Sequence, residues 1–172
     1  LRGLLMRISD IPEFKDKSHV LTISKDTKII DCVKKMSKHN YGSIIIAEKN
    51  KPIGIFTERD LLNKVIAKNI DPKKDAVEKV MTKDLATAKS DDQISTTLRR
   101  MSQGHFRHMP IVDADGNING IISQGDLVSY SWSEIFHFLG QKTKSSFMTH
   151  TQIWMLIIAL GVYGYIAMLM IK

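Results

Sequence analysis

Two stretches, GIFTERD at residues 54–60 and GIISQGD at residues 120–126, decide how this chain is read. Each runs glycine, two apolar residues, a hydroxyl, two variable positions and an aspartate, and the two stand 66 residues apart. The apolar residues predict a short strand, and the hydroxyl predicts the start of a helix. Thr57-x-x-Asp60 and Ser123-x-x-Asp126 both have the form of a capping box: the hydroxyl accepts from the amide three residues on, and the acidic side chain reaches back.

Outward from the motif the duplication continues. Thr22 matches Thr87, Asp26 matches Asp91, and Ile29, Val33 and Met36 match Ile94, Leu98 and Met101, all at a spacing of 65. Tyr41 pairs with Phe106 and Glu48 with Asp113. The spacing then becomes 66, because ADGNIN carries one residue more than KNKPI. Upstream, RISDI (7–11) resembles VEKVM (77–81). Two copies of one unit explain this register, and such repeats define the architecture before any single element does.

Each unit predicts the same order of elements. A strand comes first, HVLTI (19–23) or DLATA (84–88). An Asp-led helix follows, with apolar residues at steps of four and three on one face. Two strands come next, SIIIAE with PIGIF and MPIVD with INGII, the second pair joined through Asp115-Gly116, a hairpin signal. A second helix begins at the motif hydroxyl. A unit of this size buries only a small core, so two sheets must pack together, which leaves clefts between the halves. The expected fold class is α/β (α+β): two β-α-β-β-α repeats, residues 7–70 and 77–131, packed about a pseudo-two-fold axis.

Composition narrows the function classes. The chain has 172 residues, 43% of them hydrophobic, and a formal net charge of +7. The basic residues are interleaved with acidic ones, without a long Lys/Arg block or an aromatic-rich basic strand, so no nucleic-acid partner is expected. Cys32 is the single cysteine, which excludes an intrachain disulfide and a multi-cysteine metal site. Its setting, IIDCVKKM, predicts a buried small apolar residue. The six histidines show no H-x-x-x-H spacing. His105 and His108 are three apart but precede a strand and lack an acidic third ligand nearby, so no metal is expected. No catalytic constellation is present, and neither an enzyme nor a catalytic cofactor is expected.

The C-terminal segment stands apart. IWMLIIALGVYGYIAMLMI, residues 153–171, holds no charged residue and is apolar on every face. As one helix it would extend about 28 Å, against about 30 Å for a bilayer core. It is expected to be a transmembrane helix acting as a single-pass tail anchor. Lys142 and Lys144 precede it and Lys172 follows, a bias that places the rest of the chain in the cytoplasm. Residues 132–152 read as a docking helix (Trp132, Ile135, Phe136, Leu139) and a polar tether. LRGLLMRI, at the start, is too short for a secretory signal.

The ordered pattern with G-h-h-[ST]-x-x-D in each copy resembles the cystathionine-β-synthase (CBS) domain over about residues 7 to 131. GIFTERDLL and FRHMPIVD are especially similar to stand-alone bacterial and archaeal members. The resemblance implies a disc-like tandem module that binds adenine nucleotides in the cleft between its halves. It implies that Asp60 with Thr57, and Asp126 with Ser123, contact ribose and phosphate. An ionised carboxylate is an acceptor-only group that suits a ribose cis-diol. It also implies that strand residues around Thr22 and Thr87 frame the adenine, while Met109, Ile111, Ile44 and Ile46 serve either there or as plain core.

Arg107-His108 resembles the R-H-x-P segment that reaches phosphate in related modules, and Arg59 is a second candidate, since an Arg fork bonds two phosphate oxygens. The copies differ here: Gly125 stands at the place of Arg59, and Gly42-Ser43 at that of Arg107-His108. The two potential sites are therefore expected to be chemically unequal. The function expected is a regulatory, homodimeric nucleotide sensor tethered to a membrane. Its ligand would be of the AMP, ADP or ATP type, with NAD and S-adenosylmethionine as alternatives. Two other readings are a non-binding dimerisation scaffold and the cytosolic regulatory domain of a larger membrane transporter or channel.

Overall fold

Short continuous apolar runs, such as SIIIAE and HMPIV, and tight turns build two small sheets, one from each repeat. The computed structural model describes residues 6–12, 14, 20–132 and 154–162. In the first repeat, β1 (Thr22–Ile23) is followed by α1 (Ile29–His39), β2 (Ser43–Glu48) and β3 (Lys51–Thr57). Strand β2 lies between the others, parallel to β1 (Thr22 opposite Ile45) and antiparallel to β3 (Ser43 opposite Thr57). Lys49 and Asn50 both have positive φ, which makes the type I′ turn that suits a two-residue hairpin. Helix α2 then begins with Glu58–Asp60 and continues as a π-helical stretch, Leu61–Ile66, a rarer winding than the α-helix that the sequence predicts.

The second repeat follows the same plan through α3 (Ile94–Gln103), β4 (His108–Val112), β5 (Ile118–Ser123) and α4 (124–132). The hairpin is longer, with Gly116 at φ +82°, and this accounts for the change of spacing from 65 to 66. The Asp113 carboxylate accepts from the Asp115 and Asn117 amides and from Asn117 Nδ2, bonds that hold its carboxyl below the usual aspartate value.

The expected first strands are shortened. HVLTI contributes β1 alone, and His19 lies outside the described residues. DLATA forms no strand; only Ala88 makes a parallel bridge, to Ile111. Ala and Asp are poor strand formers, whereas the first copy offers Val, Leu and Ile. The helices are closed alike. Asn40 and His105, 65 positions apart, both take left-handed backbone angles. The next amide, of Tyr41 or Phe106, bonds the Met36 or Met101 carbonyl, forming a Schellman end.

The cores are completed by an exchange that the periodicity does not reveal. Ile8 and Ile11, in the lead-in segment of the first repeat, are buried in the second repeat's core with Ile94, Met101 and Leu127. Val77, Val80 and Met81, in the lead-in segment of the second repeat that connects it to the first, are buried in the first repeat's core with Ile29, Phe56 and Val65. The matching 3-10 turns are Ile8–Asp10 and Val77–Lys79, so Ile8 corresponds to Val77. That corrects by one residue the pairing of RISDI with VEKVM. Cys32 and Thr97, also 65 apart, are both fully buried and donate to the carbonyl four residues back.

Residues 133–172 form a unit of their own. Within it residues 154–162 form helix α5, with exposed apolar side chains including Trp154, Leu156 and Ile158. Nine residues rise about 14 Å, and no helix among the described residues is long and apolar enough to cross a membrane. The expected transmembrane helix is thus not seen there. The remainder of 153–171, the docking helix and tether beyond Trp132, and LRGLL at the start lie outside the described residues.

Candidate functional site

Both motif hydroxyls cap a helix. The Asp60 amide donates to Thr57 Oγ1 at 3.2 Å, while Asp60 Oδ2 accepts from the Thr57 amide at 3.0 Å and its hydroxyl at 2.8 Å. In the second copy the Asp126 amide donates to Ser123 Oγ at 3.1 Å, and Asp126 Oδ2 accepts at 2.8 and 2.7 Å. The next bond is repeated too: the Glu58 amide donates to the Gly42 carbonyl, and the Gln124 amide to that of Arg107. Each helix start is thereby tied to the segment that leads into the neighbouring strand.

Asp60 is 7% exposed and its other oxygen is occupied as well. Oδ1 accepts from the Lys64 ammonium at 2.7 Å and from the Thr82 hydroxyl at 3.2 Å, and Lys64 also donates to Thr82 Oγ1 at 2.7 Å. Thr82 sits in the connection between the repeats and exchanges backbone bonds of 3.0 and 2.8 Å with Ile55 of β3. Lys64 is legible in the sequence as the i,i+4 partner of Asp60. Thr82, 22 residues away, has no local signal.

A cavity of about 380 Å³ opens where the repeats meet. Thr57, Arg59 and Asp60 enter it from the first repeat, Arg107 and His108 from the second, and Thr82 from the connection. Ligand pockets run from about 300 Å³ upward, so the volume suits a small ligand. An adjoining cavity of about 210 Å³ shares Arg59, Phe106 and Arg107 and adds His105 and Gln124. Arg59 crosses between the repeats, its Nη1 donating to the His105 carbonyl at 2.5 Å. The left-handed turn at the end of α3 sets the position of that carbonyl. The exposed guanidinium groups of Arg59 and Arg107 make this mouth suited to an anion.

The structure therefore gathers Thr57, Arg59, Asp60, Arg107 and His108. Thr22, Thr87, Ser123 and Asp126 are not in the walls of either cavity. Thr22 is exposed on β1, and the Thr87 carbonyl accepts from Arg100 Nη2 at 2.8 Å. Met109, Ile111, Ile44 and Ile46 are core, each at most 1% exposed. The sequence reading missed Glu58, Thr82 and Phe106 as wall residues. Glu58 adjoins the motif hydroxyl, and Phe106 adjoins Arg107, so chain proximity was the available signal for both.

Comparison with known proteins agrees with the duplicated plan. The CBS domain family model matches residues 8–67 and 77–133. An uncharacterized 17.7 kDa protein of Acidianus ambivalens is 35% identical over 109 residues, which cover 63% of this chain and 65% of that one. A Methanopyrus kandleri protein is 33% identical, with 56% of its length covered, so the chain spans less than two thirds of these relatives. A CBS-domain protein of Burkholderia ambifaria superposes with a TM-score of 0.69 at 26% identity, over 73% of this chain and 93% of that one. The CBS domain pair of protein MJ0100, solved in complex with 5′-methylthioadenosine and S-adenosyl-L-methionine, superposes with a TM-score of 0.64 at 25% identity, over 73% and 98%. With the family matched twice and in register with the internal repeat, the chain belongs to the CBS domain family and carries the domain as a tandem pair.

Proposed function

We propose that this chain is a regulatory module that binds an adenine-containing ligand between its repeats and reports the bound state by a change of conformation. The observation that carries the reading is one cavity walled by Thr57, Arg59 and Asp60 from one repeat and by Arg107 and His108 from the other. A ligand there contacts both halves, so occupancy alters how the halves hold together. The arginines suit phosphate and the hydroxyl and carboxylate suit ribose. AMP, ADP and ATP fit this set, with NAD and S-adenosylmethionine as alternatives. The MJ0100 pair, with its adenine-containing ligands, supports the class. Because Gly125 and Gly42-Ser43 replace the cations in the other copy, binding falls on the first site.

The rival reading, a scaffold that takes no ligand, is favoured by the filled oxygens of Asp60. The experiment that separates them is a thermal-shift screen of the full chain against AMP, ADP, ATP, NAD(H) and S-adenosylmethionine. A ligand at 100 times its dissociation constant adds about 2.7 kcal/mol of stability. No shift with any of them at millimolar concentration returns the scaffold.

Homodimerisation is supported by exposed apolar pairs at equivalent positions of the two repeats, Leu62 with Ile66 and Val128 with Trp132. Tethering to a membrane is supported by the uncharged run 153–171 and by the exposed apolar side chains of α5. The lysine bias around that run supports a cytoplasmic module. The uncharged run 153–171 also suits, as a second reading, a regulatory domain of a larger membrane transporter or channel, of which the run would be an edge.

A further inference from the structure

We propose that Lys64 is a built-in competitor for the ligand: its ammonium occupies Asp60 until a cis-diol displaces it. The inference rests on reading Asp60 as the ribose acceptor. The capping box uses Oδ2 and is repeated at Asp126. Oδ1, the oxygen that the cap leaves over, accepts from Lys64 at 2.7 Å and from Thr82 at 3.2 Å. A carboxylate oxygen offers about two lone-pair sites, so a diol arriving at Asp60 meets an acceptor already filled.

Lys64 is the donor able to leave. Its side chain is 35% exposed against 10% for Asp60, and its four-carbon stem lets the ammonium move to water or to an incoming phosphate. Thr82 is held by its paired backbone bonds to Ile55. The repeat supplies the contrast. Position 130, equivalent to 64, is Tyr130, which carries no charge at neutral pH. A lysine at this step, an ionic latch, thus belongs to the copy whose motif also carries Arg59. Its release also takes the Lys64 bond away from Thr82, in the connection between the repeats, and so links occupancy to that connection.

The test is calorimetry on the full chain with AMP and with 2′,3′-dideoxy-AMP, which has the same phosphate and no diol. Lys64→Met is expected to raise the preference for AMP over the dideoxy compound by about tenfold to a hundredfold, the worth of one charge-assisted bond. Comparing the two ligands cancels the general effect of losing a positive charge. Thr82→Val, which keeps the backbone pair, is expected to move the ratio in the same direction by a smaller factor. If Lys64→Met does not melt cooperatively, Lys64→Gln makes the same comparison. An unchanged or lower ratio, with AMP bound by both proteins, overturns the latch and leaves the nucleotide reading standing. AMP binding by the variant alone supports the latch. Binding by neither protein takes both down.

Discussion

A Cβ on Gly54 would stand 2.5 Å from the sulfur of Met81, and one on Gly120 would stand 2.7 Å from Cε2 of Phe14. The glycine that opens each motif thus makes room for a side chain from the lead-in segment of the other repeat. Gly54→Ala is expected to cost about 1–3 kcal/mol, the usual penalty of overpacking. Met81→Ala placed in that background should recover part of the loss, read as a coupling in a double-mutant cycle of thermal unfolding. Independent, additive effects would mean that the close approach is not what position 54 demands.

Asp60→Asn should destabilise the fold by about 1–3 kcal/mol, because Lys64 then faces a neutral amide that can offer its nitrogen in place of an oxygen. That exceeds the small cost expected when a cap merely exchanges one acceptor for another. Denaturant midpoints of the unliganded protein measure it. A midpoint equal to wild type would show the ion pair to be energetically idle.

Arg107→Ala and Arg59→Ala are each expected to weaken ADP binding about tenfold to a hundredfold, the loss of a charge-assisted bond to phosphate. Both should flatten the salt dependence of affinity, as screening acts on exposed charges. Affinity that both variants keep unchanged would place the phosphates away from the cavity mouth.

Burial pushes the Cys32 thiol from its ordinary value of 9.0 up to about 11. The unfolded thiol ionises first as pH rises, so the folded state loses stability through this group. Its contribution is fully present below about pH 9 and is lost as pH climbs toward 11. Stability profiles of wild type and Cys32→Ala should converge across that window, and alkylation of the native thiol at pH 8 should be slow. Parallel profiles would show that the thiol does not titrate with unfolding.

The full chain is expected to stay in the membrane pellet after a carbonate wash, and a chain lacking residues 153–172 to be released from it. The measurement is sedimentation followed by immunodetection. Release of the full chain without detergent would leave α5 as a helix that packs against protein.

What the sequence determined by itself is everything carried by contacts between near neighbours in the chain. The caps at Thr57 and Ser123 close over three residues, and the hairpin strands pair across turns of a few. The faces of α1 and α3 follow from residues three and four apart. Duplication made this legible twice over, since the same local chemistry recurs at a spacing of 65 or 66. Lys64 also lay within reach, as the i,i+4 neighbour of Asp60.

Tertiary structure alone decided which distant segment completes each core. Ile8 and Ile11 fill the second repeat and Val77 and Met81 the first, and hydrophobic burial has no direction in sequence to reveal the exchange. It also decided that Thr82 closes on Asp60 and that Arg59 reaches a carbonyl 46 residues away. Among the four aspartate and hydroxyl positions of the two motifs, it brought Thr57 and Asp60 to the cavity that holds Arg107. The physical reason is common to all of these. Each depends on where whole elements come to rest after packing, and a one-dimensional pattern records only which residues can make such contacts.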